Sequence, residues 1–133
     1  MRYMFDTNIC IHLIQQQPPS LIARCEALNY GDVVISSIVL AELRHGVERN
    51  PTTKIQAELA LNAVLANFIV LPFSDVSARA YGNLCAAVPD RKKDAFDRLI
   101  AAHAVAMNLP LVTNNLADFS AYPGLVLENW VVN

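Results

Sequence analysis

Residues 1–14 read MRYMFDTNICIHLI, and one carboxylate, Asp6, interrupts two apolar segments. Tyr3-Met4-Phe5 has the composition of a short strand, whereas Ile9 to Ile14 continues as an apolar helix. A charge caught between two segments bound for the core needs a hydrogen-bonding partner, solvent or a metal ion, because burying it alone is costly. Two readings compete. In one, Asp6 or Asn8 caps the helix that follows. In the other, Asp6 stands at a strand end as a ligand, and Thr7 or Asn8 takes over the cap. The choice depends on the other acids of the chain.

Outward from this stretch, short β-like runs alternate with longer helical ones. After RYMF come DVVISS (32–37), FIVLPF (68–73) and LPLVTN (109–114), and LVLENWVV (125–132) adds an edge strand. Between them lie NICIHLIQQQ (8–17), PSLIARCEAL (19–28) with Pro at a helix start, IVLAELRHGVER (38–49), TKIQAELALNAVLAN (53–67), SDVSARAYGNLCAAV (74–88) and DAFDRLIAAHAVAMN (94–108). Strands separated by helices predict an α/β fold with a mainly parallel sheet and helices on both faces. Such folds bind ligands in the crevice beyond the carboxyl ends of their strands. The length, 133 residues, suits one domain spanning residues 1–133.

Composition narrows the function. With 54% hydrophobic and 17% charged residues, the chain is too apolar for disorder. No apolar run reaches the roughly 18 residues of a membrane span. The nearest approach, LALNAVLANFIVLPF (59–73), is broken by Asn62, Asn67 and Pro72. The N-terminus does not read as a signal peptide. Cys10, Cys25 and Cys85 are odd in number and widely spaced, which suits reduced thiols in the cytoplasm. A formal charge of −2 argues against coating nucleic acid by bulk charge. It leaves room for an enzyme that holds one phosphate through a metal ion, and for a basic partner chain.

The acids are placed for that crevice. Asp6 follows the first strand. Glu42 shares a helical face with Ile38 and Gly46, an apolar side, with a surface pairing to His45 or Arg49 as the rival reading. Asp97 shares a stripe of small residues with Ala101 and Ala104, its rival reading being an ion pair with Lys93. Asp94, three residues earlier, is either a further ligand or a first-turn dipole partner. Thr113 and Asn115 stand at the end of the fourth strand with Asp118 just beyond, either as caps or as site groups. Carboxylates gathered at one edge would repel and take up protons unless a cation neutralised them. Oxygen-only donors favour Mg²⁺ or Mn²⁺ over zinc. A cation-bound water would then suit phosphodiester hydrolysis.

Taken in order, MFDTNI (4–9), SSIVLAELRHG (36–46), DAFDRLIAAHA (94–104), LVTNNLADF (111–119) and PGLVLENWV (123–131) resemble the PIN-domain ribonucleases, most closely the VapC toxins of the enteric type. The resemblance covers essentially the whole chain. It implies a three-layer α/β/α sandwich and a Mg²⁺- or Mn²⁺-dependent endoribonuclease that arrests translation, with initiator tRNA cut in its anticodon stem-loop. It also implies a homodimer and a VapB-type antitoxin that blocks the site and carries operator DNA binding. By resemblance, Asp6 and Asp97 match the metal-binding aspartates, and Glu42 the acid that completes the site or orients water. The family's fourth acid falls on Asn115, a departure that puts a second tightly held metal in doubt. Asp118 partly substitutes for it, and Thr113 would hold a carboxylate or the substrate phosphate.

Other residues carry secondary expectations. Arg91, Lys92, Lys93 and Arg98 are either a solvated helix start or phosphate contacts that steer RNA. His103 packs beside the core with its ring hydrogen-bonded, His12 and His45 face solvent or a partner, and Trp130 is a packing anchor. Two rival functions remain. One is a phosphatase with Asp6 as nucleophile, weakened because Asn8 stands where a second Asp is expected. The other is a PIN-fold partner-binding subunit with impaired chemistry, which Asn115 keeps open.

Overall fold

The computed structural model describes residues 1–89 and 95–132. Five strands form the sheet: β1 (Tyr3–Phe5), β2 (Val33–Ser36), β3 (Ile69–Leu71), β4 (Leu111–Val112) and β5 (Leu127–Glu128). All four pairings are parallel, in the order β3-β2-β1-β4-β5. Helices α1 (Thr7–Ile14) and α2 (Pro19–Glu26) connect β1 to β2, and α3 (Ser37–Glu48) and α4 (Lys54–Leu65) connect β2 to β3. Helices α5 (Asp75–Ala87) and α6 (Ala95–Met107) return the chain to β4, and α7 (Leu116–Phe119) leads to β5. Parallel crossovers are right-handed, so the chain's reversal of direction after β3 puts α5 to α7 on the opposite face from α1 to α4. The result is the expected three-layer α/β/α sandwich.

The buried strands explain their own composition. Parallel strands covered on both faces need continuous apolar runs, and every residue of β2 is buried. On one face of β1, Phe5 meets Trp130 edge-on at 5.3 Å and Phe68 at 5.6 Å, while Tyr3 meets Trp130 at 4.7 Å. Trp130 is therefore the packing anchor expected of it, with its indole N–H donating to Glu128 at 3.0 Å. His103 is buried on α6, its Nδ1 lying 2.7 Å from Ser36 Oγ and its ring edge-on to Phe73. Ser36 Oγ also caps α3 by accepting the Ile38 N–H. Among the described residues no helix is long and apolar enough to cross a membrane.

The strand order matters most for function. It runs 3-2-1 in one direction and then jumps to 4-5, so the switch point lies between β1 and β4. The crevice of an open parallel sheet opens at that point, beyond the strand ends. Asp6 follows β1 there, and Thr113 to Asn115 follow β4. Helices α3 and α6, which carry Glu42 and Asp97, come from opposite layers and touch each other.

Candidate active site

Asp6 is only 3% exposed. Its backbone is extended (φ −81°, ψ 177°), and its Oδ1 accepts the Ile9 N–H at 2.9 Å. Asp6 itself is therefore the cap of α1, which corrects the expectation that Thr7 or Asn8 would take that role. A cap must be the last extended residue, and Thr7 is already helical. Capping does not withdraw Asp6 from the crevice, so the two readings of its sequence position hold together. Burial pushes its carboxyl above the usual range. A hydrogen bond from the Thr113 hydroxyl, the Ile9 amide and the nearby His12 pull it back, and Glu42 adds a smaller upward push.

Thr113 is fully buried, and its Oγ1 also accepts the Asn115 N–H at 2.9 Å. Its hydroxyl, at the end of β4, also draws down the pKa of Asp6 at the end of β1. Glu42 is half-buried on α3, and its Oε1 accepts the Thr7 hydroxyl at 2.7 Å. Thr7 is a site residue that sequence reasoning treated only as a cap. Its signal was a hydroxyl one position beyond a strand-end acid. Asp97 sits in the first turn of α6, where the helix dipole favours negative charge. The Asn115 Nδ2 donates to Asp118 Oδ2, which fixes the amide plane.

Asp6, Thr7, Asn8, Glu42, Asp97 and Asn115 line a single cleft of ≈ 730 Å³. The cleft runs on between α1, α3 and α4 over Ile14, Leu43, Val47 and Leu61, with His45 and Arg49 on its wall. Asp118 does not line it but accepts the Asn115 amide that does. Arg98 is a correction. It is 8% exposed, and its Nη1 donates to Cys85 Sγ at 3.5 Å, between α5 and α6. Its side chain is thus directed to α5, and it does not line the cleft as Asp97 does. Asp94, Arg91, Lys92 and Lys93 lie outside the described residues.

Among the described residues, no three His, Cys, Asp or Glu side chains gather into a ready-made chelate. The donors in the cleft are nonetheless carboxylate, amide and hydroxyl oxygens. That set suits a hard divalent cation, which keeps several waters and needs only one or two direct carboxylates. The buried Asp6 carboxyl at the cleft is the observation that fits such a cation best, since a positive charge would offset its desolvation.

Residues 3–125 match the PIN domain, and the chain belongs to that family. Its relatives there are VapC ribonucleases, which makes it a nuclease of the VapC type. Ribonuclease VapC2 of Rickettsia felis is 40% identical, covering 98% of each chain. The tRNA(fMet)-specific endonuclease VapC of Shigella flexneri is 34% identical, again over 98% of each. Among solved structures, VapBC2 from Rickettsia felis bound to a promoter DNA fragment holds a chain 39% identical, with a TM-score of 0.89 over 98% of this chain and 99% of that one.

Proposed function

We propose that this chain, a single PIN domain over residues 1–133, is the toxin of a two-component pair and cuts tRNA endonucleolytically with Mg²⁺ or Mn²⁺. Initiator tRNA, cut in the anticodon stem-loop, is the substrate we infer, and arrest of translation the outcome. The observation that carries this reading is the buried Asp6 carboxylate at the sheet's switch point, in one cleft with Glu42, Asp97 and Asn115. The Shigella relative's stated substrate supports the choice of tRNA.

Asp6 and Asp97 would hold the cation, with the Asn115 carbonyl as a neutral third oxygen. When bound, the cation supplies an acidified water and neutralises charge developing on the phosphate. The Ile9 amide and Thr113 keep Asp6 in one orientation. Glu42, with one oxygen occupied by Thr7, offers the other to orient water and accept its proton. With Asn in place of a fourth acid, the site carries charge for one cation rather than two.

The partner we infer is a VapB-type antitoxin that covers the cleft and carries the DNA-binding function, since solved relatives are VapBC complexes, some on DNA. The active species is a cytoplasmic homodimer. Mapping RNA 5′ ends after a brief pulse of expression tests the substrate. New ends confined to the anticodon loop of initiator tRNA are expected, and ends scattered over messenger RNA would refute the tRNA assignment.

A further inference from the structure

Phe96 occupies an unusual place. It is 53% exposed, belongs to the first turn of α6, and lines the same cleft as the adjoining Asp97. Scattered exposed apolar side chains are ordinary on protein surfaces. Among the described residues, however, the other aromatic lining this cleft, Phe119, is buried at 2% exposure. Phe96 also stands apart from the hydrophobic core, whereas its neighbours on α6, Ile100 and Ala101, are buried in it. The helix therefore holds an aromatic face open at the rim of the carboxylates without needing it for packing.

We infer that Phe96 is a substrate-binding residue that stacks on an unpaired nucleobase next to the bond being cut. The inference rests on the ribonuclease reading above. Sequence-specific recognition of RNA targets loops whose unstacked bases are taken up on aromatic side chains. Every base has a π-face, so one ring suffices to hold a splayed nucleotide. The ring and Asp97 line the same cleft, so the base it holds would flank the phosphate brought to the acids. Asn8, exposed and lining the same cleft, offers an amide group for a base edge.

The test is steady-state cleavage of a stem-loop RNA by the full chain carrying Phe96→Leu, Phe96→Trp or the native residue. The RNA is used intact and with a single abasic nucleotide on either side of the scissile bond. Phe96→Leu should raise KM about 10- to 100-fold with kcat within about twofold, and Phe96→Trp should restore KM. An abasic nucleotide at one position should raise KM for the native chain and add little for Phe96→Leu, because both changes remove the same contact. Native KM for Phe96→Leu, or fully additive losses, would overturn the inference while leaving the ribonuclease reading intact. Failure of the native chain to cut any RNA would overturn both. If Phe96→Leu loses only partner-protein binding or self-association, the ring serves a protein contact and the inference fails.

Discussion

The Thr7 hydroxyl donates to Glu42 at 2.7 Å, tying the start of α1 to the middle of α3. Among the described residues, Glu42 is thereby held by a group from the neighbouring helix and not by a basic side chain. Groups that orient a metal-site residue cost about 10- to 100-fold in activity or metal affinity when removed. Thr7→Val should lower kcat by that amount, and Thr7→Ser should restore it. Equal rates for the Val and native chains would show that the bond does not orient Glu42.

Asp6→Asn separates the two roles of this residue. Asn caps a helix about as well as Asp, so α1 keeps its start. The carboxyl of Asp6 is raised in the folded state, so the stability it contributes is present below its unfolded value and lost as pH rises through the raised one. At neutral pH the ionised group destabilises the cation-free protein. Asp6→Asn should therefore raise Tm by a few degrees in EDTA at pH 7, about 1 kcal/mol in a domain of this size, and not at pH 3.5. Cleavage should fall by more than about 100-fold. A lower Tm at pH 7 would contradict this account.

Asn115 donates to Asp118, and a fourth acid there would set two carboxylates face to face. Asn115→Asp should lower Tm in EDTA by about 5 °C, roughly 1–2 kcal/mol. Millimolar Mg²⁺ or Mn²⁺ should recover more stability in this variant than in the native chain. Melting curves that respond equally to the cations would place the residue outside their reach.

His103 supplies a pH dependence independent of the acids. Burial lowers its pKa from the usual 6.5. A base whose folded value is depressed contributes stability that is present above its unfolded pKa and lost as pH falls toward the lower folded one. Tm should drop between pH 7 and pH 5, and His103→Gln should flatten part of that slope. Parallel slopes for both chains would mean that other groups carry it.

Most of the scaffold is legible from composition. β2 and the strand before Asp6 announce themselves by β-branched and aromatic runs, and Asp6 by breaking one of them. The four residues of α7 are too short to show a helical period. The Thr7–Glu42 bond depends on how α1 docks on α3, which no local pattern encodes. The share of capping that Asp6 keeps turns on a single backbone angle. Arg98 fits neither a solvated helix start nor a phosphate contact, because the packing of α6 on α5 buries it against Cys85, which its sequence position does not show. Asn115 was visible as a departure, but its tie to Asp118 needed the turn after β4.

The central claim is that the cleft carboxylates and a divalent cation cut RNA. Single-turnover cleavage of initiator tRNA by the native chain, Asp6→Ala and Asp97→Ala, each with Mg²⁺, Mn²⁺ or EDTA, tests it most directly. The account predicts one discrete cut by the native chain, lost in EDTA and in both variants, while both variants still bind the antitoxin. Cleavage at the native rate by both Asp6→Ala and Asp97→Ala would contradict it.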